Sequence, residues 1–122
     1  MIRPENTINM TPHAIVFYPQ DCGQPDYQEK FVFPPSGLIA RVEEKTQPSV
    51  HEGCVRKVYS NPSIPPFQNA TKYVIVSSMV LSALKDSGIV SSSLFIAPDT
   101  GSGAVRDKDG KIIGTKCFVA LE

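Results

Sequence analysis

The segment Ala97 to Asp107, APDTGSGAVRD, gathers two glycines, two hydroxyls, two carboxylates and one arginine within eleven residues. That set suits a phosphorylated ligand. Gly101 and Gly103 let a backbone approach closely. Thr100 and Ser102 supply hydroxyls. Arg106 offers a planar fork matched to phosphate oxygens. Asp99 accepts from a ribose hydroxyl or an amine. A second group complements the first. Ser77 and Ser78 precede MVLSALKDS, a run of good helix formers. Serine is a favoured N-cap, and a helix start presents unpaired N–H groups and partial positive charge to an anion. The candidate ligand-binding residues are Ser77, Ser78, Asp99, Thr100, Gly101, Ser102, Gly103 and Arg106.

The plainer reading of the same residues is a Gly/Ser connection between two strands. The glycines match neither a P-loop, which needs Gly-x-x-x-x-Gly-Lys-Ser/Thr, nor a dinucleotide fingerprint. Asp99-Thr100-Gly101 also matches the triplet of aspartic proteases. Those need two facing carboxylates, and the apolar flanks of the triplet are only half present here.

Other constellations are weaker. His13, His51, Cys22, Cys54 and Cys117 lack zinc-ligand spacing. Cys54 with His51 or His13 shows no third, orienting group. Asp107 to Gly110 begins like a calcium loop, but Gly110 comes too early. Thr11-Pro12-His13 reads as a strand-end cap with His13 bonded to backbone. The expectation is no catalytic residue, no metal and no cofactor.

The elements that must hold these groups follow from pattern. Ala14–Tyr18, Phe31–Phe33 and Val55–Tyr59 read as strands. In Leu38–Glu43, alternating apolar residues read as a half-buried strand. Residues 20–30 and the proline-rich 61–72 read as loops. Tyr73–Val76 is apolar on both faces, as in a central strand. A helix over 78–87 buries Val80, Leu81 and Leu84 and ends at Gly88. Leu94–Ala97 is the next strand. Asp109-Gly110 joins a strand near 104–108 to a last strand over 111–121. The class is α+β: a single small domain, 1–122, with a mixed sheet of about six to seven strands, one main helix and a C-terminal hairpin. If strands 73–76 and 94–97 are parallel, their exits meet at one sheet edge, where ligands of open α/β sheets sit.

Twelve Lys and Arg balance twelve Asp and Glu. That balance argues against a dedicated, sequence-specific nucleic-acid binder and leaves homo-oligomerisation open. Three cysteines at wide spacing, with no secretory signal, favour free thiols in a reducing compartment. Cys117 reads as a small buried hydrophobe. No run reaches membrane-span length.

Taken together, INMTPHAIVFY (8–18), FPPSGLIARV (33–42), YVIVSSMVLSAL (73–84), LFIAPDT (94–100) and VRDKDGKIIGTKCF (105–118) resemble a family of small, uncharacterised proteins of bacteriophages and prophages. Residues 43–70 match poorly. The resemblance implies a bacterial cytoplasm and carries over no catalytic residue. Small phage proteins often act on the host, and some sequester nucleotide messengers of antiviral signalling. The leading expectation is therefore a non-enzymatic binding protein for a phosphorylated small molecule or nucleotide. The alternatives are an inhibitor or adaptor docking on a host protein through a strand edge, and a small hydrolase using Cys54 or Asp99.

Overall fold

The computed structural model describes residues 2–19, 30–68, 70–89 and 91–122. The segment expected to form a loop over 20–30 lies outside them except for Lys30, and Cys22 lies outside them too.

Two central strands organise the chain. Strand β6 (Tyr73–Ile75) pairs in parallel with β7 (Leu94–Pro98) on one side and with β1 (Thr7–Asn9) on the other. Strand β10 (Phe118–Ala120) closes this sheet antiparallel to β7, giving the order β1-β6-β7-β10. Side chains alternate across it, as the two-residue repeat of a strand requires. Val74, Val76, Phe95 and Ala97 pack towards helix α1 (Ser78–Ser87), meeting Val80, Leu81 and Leu84 in one buried cluster. Ile75 and Ile96 point the other way, into a cluster with Phe17 and Phe33.

That second cluster is the filling between two sheets. The other sheet has the order β3-β2-β9-β8, from β2 (Ile15–Phe17), β3 (Phe31–Phe33), β8 (Ala104–Arg106) and β9 (Ile112–Thr115). The Phe118 ring lies 5.0 Å from that of Phe17 and edge-on to that of Phe33, in the tilted arrangements aromatic pairs prefer. The layers are thus helix, mixed sheet, mixed sheet. The third sheet is an arm: β4 (Glu44–Pro48) and β5 (Val55–Tyr59) pair only with each other, and every residue of both is exposed.

The class is α+β, as expected, with more strands: ten among the described residues, in three sheets. Three differences have local causes. Leu38–Glu43 is not a strand. Ala40 is buried and Val42 half-buried between exposed Arg41 and Glu43, but Leu38 is exposed, so the alternation holds only over 40–43. The backbone, however, bonds irregularly, Ala40 N–H to Met10 and Arg41 to Ser63. The expected strand over 111–121 is two strands. The chain crosses from one sheet to the other at Lys116-Cys117, and Thr115 Oγ1 donates to Cys117 O and Asp99 O there. Cys117 is disulfide-bonded, which corrects the reading of three free thiols, and it lies between strands. Cys54 is free and exposed.

Candidate functional site

The parallel pairing of β6 and β7 brings their exits to one edge. Val76 N–H donates to Ile96 O at 2.8 Å, so the ladder runs to the last residue before Ser77. Ser77 is the N-cap of α1, with φ −69° and ψ 160°, and its hydroxyl accepts from Val80 N–H at 3.2 Å. Ser78 is exposed in the first turn. Asp99 leaves β7 at the same edge. The strand–helix–strand unit therefore does what its sequence pattern requires.

The loop that follows is bonded to itself. Asp99 Oδ1 accepts from Gly101 N–H at 2.9 Å, and Oδ2 from Gly103 N–H at 3.2 Å. A Cβ built on Gly103 would stand 2.6 Å from Asp99 Oδ2. Glycine at 103 thus makes room for that carboxylate. Thr100 and Ser102 are exposed. Arg106 lies at the end of β8 in the other sheet, three residues beyond Gly103, or roughly 10 Å of extended chain. Its Nη1 donates to Gly110 O at 2.7 Å and pins the hairpin turn. Asp107 Oδ1 accepts from Asp109 and Lys111 N–H in the same turn. So Ser77, Ser78 and Asp99 share an edge, whereas Arg106, expected beside them, holds a turn of the second sheet.

A buried polar group that sequence reasoning missed sits after β1. Asn9 is 3 % exposed. Its Nδ2 donates to His13 O and Phe33 O, both at 2.9 Å, and its Oδ1 accepts from Thr11 N–H and Thr11 Oγ1. All of the amide's main hydrogen-bonding directions are satisfied by protein, so the network fixes loop 10–14 against β3. It is the His13 carbonyl that receives these bonds; Thr11 Oγ1 donates to it as well. Among the described residues no three His, Cys, Asp or Glu side chains gather into a group that could hold a metal ion. No helix among them is long and apolar enough to cross a membrane.

The arm is the other unabsorbed feature. Ser60 N–H donates to Glu43 O and Ser49 N–H to Cys54 O, so bonding between the strands extends just past both ends of the paired residues. Lys57 Nζ and Glu44 Oε1 form an ion pair at 2.5 Å on one face, and Arg56 Nη2 donates to Gln47 Oε1 on the other. The hydrogen bond and charge of Glu44 hold the Lys57 ammonium above the ordinary lysine value. The pair is then intact below that ordinary value and is lost as pH rises through the raised one. Val50, Val55, Val58 and Tyr59 are all exposed. At the arm's base, Tyr59 and the outer face of α1 line a groove of about 380 Å³ with Ser78, Met79, Ser82, Ala83 and Asp86. The sequence carried one signal for the arm, the β5 run VRKVY.

Comparison with protein-family models, with curated proteins and with solved structures finds no match to this chain.

Proposed function

We propose that this protein is a non-enzymatic binding module that engages a partner protein through the β4–β5 arm and the groove at its base. One observation carries the reading. An isolated two-stranded hairpin is at best marginally stable in water, yet this chain extends one away from both cores with all ten strand residues exposed. Exposed valines and a tyrosine on such an arm suit an interface that another molecule completes. The groove beside Tyr59 offers a place for an anchoring side chain.

The test is affinity capture with the full chain and with a variant whose residues 44–59 are replaced by a short Gly/Ser linker. Arg41 and Ser63 already pair across the arm's base, so the linker has little distance to close. A protein retained by the parent and lost from the variant is the expected result. Equal capture by both removes the arm from the function.

A second reading has its own observation. The parallel exits of β6 and β7 put the α1 N-terminus and Asp99 at one edge, a setting for a phosphorylated small molecule or nucleotide sequestered without chemistry. It agrees with the resemblance to small phage proteins. Against it stand the internal bonds of Ser77, Asp99 and Arg106. Thermal denaturation with a nucleotide panel separates the two readings, since a ligand selective for the folded state raises the midpoint. A flat panel leaves the arm as the functional element.

A further inference from the structure

We infer that the outer edge of β5 is a docking edge for an extended, acidic segment of a partner protein, which adds to the arm as a third strand. The inference rests on the protein-binding reading above and names the edge and the chemistry of the occupant.

Backbone direction selects the edge. Residues of the arm pair Glu44 with Tyr59, Thr46 with Lys57 and Pro48 with Val55. The bonds Ser60 N–H to Glu43 O and Ser49 N–H to Cys54 O fix the phase of the ladder. Antiparallel pairs alternate between bonded and non-bonded, so Lys45, Gln47, Arg56 and Val58 turn their backbone groups inward. Glu44, Thr46 and Pro48 turn theirs outward on β4, and Val55, Lys57 and Tyr59 do so on β5. Pro48 has no N–H, which blunts the β4 edge. The β5 edge offers N–H and C=O groups at three alternate residues with no such block.

Charge selects the occupant. Strand β5 carries Arg56 and Lys57 and no acid. The antiparallel register that would pair all five residues of β5 with a second copy sets Lys57 against its own counterpart, and like charges directly opposite destabilise. An acidic strand reverses that sign on both faces, at Arg56 and at Lys57. Shape adds an anchor. A residue paired opposite Tyr59 places its side chain on the same face as the Tyr59 ring. Tyr59 itself lines the groove walled by Met79 and Ala83. The occupant is therefore an extended segment with acids facing Arg56 and Lys57 and one apolar residue facing Tyr59.

The test uses the full chain and two end-capped eight-residue peptides, Thr-Val-Thr-Asp-Asp-Thr-Val-Thr (Asp/Val), which sets acids against Arg56 and Lys57 and a valine against Tyr59, and the same peptide with both Asp replaced by Lys (Lys/Val). Binding is read by fluorescence anisotropy and by backbone amide shifts. The Asp/Val peptide is expected to bind saturably and to move the amides of Val55, Lys57 and Tyr59, with the Lys/Val peptide at least tenfold weaker. Val55→Pro removes an outward N–H and no charge, without touching the arm's inward bonds, and is expected to weaken binding tenfold or more. Thr46→Pro does the same on the β4 edge and is expected to change it less than twofold. Arg56→Gln, which leaves the backbone intact, keeps the test valid if either proline variant fails to fold; it is expected to weaken binding severalfold. No saturable binding, equal binding of both peptides, or shifts confined to residues outside β5 and the groove overturns the inference. If arm-dependent capture of a protein persists after such a result, the inference falls and the protein-binding reading stands. If capture is lost as well, both fall.

Discussion

Asn9 shows how much one side chain can hold. It bonds two carbonyls, one amide and one hydroxyl at a site closed to water. Truncation to alanine removes all four bonds; Thr11 Oγ1 and His13 O keep the bond to each other, whereas Phe33 O and Thr11 N–H lose their side-chain partner, and a buried polar group left unpaired costs about 1–3 kcal/mol. Asn9→Ala is expected to lower the unfolding free energy by about 3 kcal/mol in urea titration, with the slope unchanged. A loss under about 1 kcal/mol would mean that water or loop movement replaces the network. The network was not legible beforehand, because asparagine before Met-Thr-Pro reads as a turn former. Nothing within a few residues reveals that His13 and Phe33 return their carbonyls to it. The candidate ligand residues divide in the same way. Ser77 and Ser78 were readable as a helix start from local chemistry. The Asp99 carboxylate bonds the glycines of its own loop, whereas its carbonyl and amide meet Thr115 and Cys117, far along the chain.

Elements were legible where they carry their own signals. Helix α1 runs from its serine cap to Gly88, which takes φ 69° and donates to Lys85 O. Both ends are set by local chemistry. The Asp109-Gly110 turn likewise announced β8 and β9. Strand β4 did not, because Glu-Lys-Thr-Gln-Pro has no apolar alternation and is a strand only through its pairing with β5. The reverse error arose at Leu38–Glu43, since alternation reports which side chains are buried and says nothing about a ladder partner. The helix start also yields a test of the ligand-edge reading. Ser77→Ala removes the bond to Val80 N–H and is expected to cost about 1 kcal/mol. Ser78→Ala, at an exposed position, is expected to stay within about 0.5 kcal/mol. Equal and negligible effects in thermal unfolding would release Ser77 from its capping role and return it to the candidate ligand residues.

At the scale of the molecule, two regions differ in what holds them. The helix, the central sheet and the second sheet share two buried clusters that meet across β6 and β7. The arm has one exposed ion pair, one hydrogen bond between side chains, serine hydroxyls bonded to backbone at its turn and base, and its own ladder. Exposed pairs of that kind contribute little, so the arm is expected to open without the rest. Native-state hydrogen exchange reads this directly. The amides of Lys45, Gln47, Arg56 and Val58, turned inward in the ladder, are expected to exchange at least a hundredfold faster than those of Val74, Ile75 and Ile96. The latter should open only with global unfolding, and their exchange should track denaturant. A saturating partner on the β5 edge adds a further expectation: slowed exchange at Val55, Lys57 and Tyr59, whose N–H groups face outward in the free protein. Should the arm's inward amides be as protected as the central strands in the free protein, the arm is held by contacts beyond its own ladder. The arm then needs no other molecule to complete it.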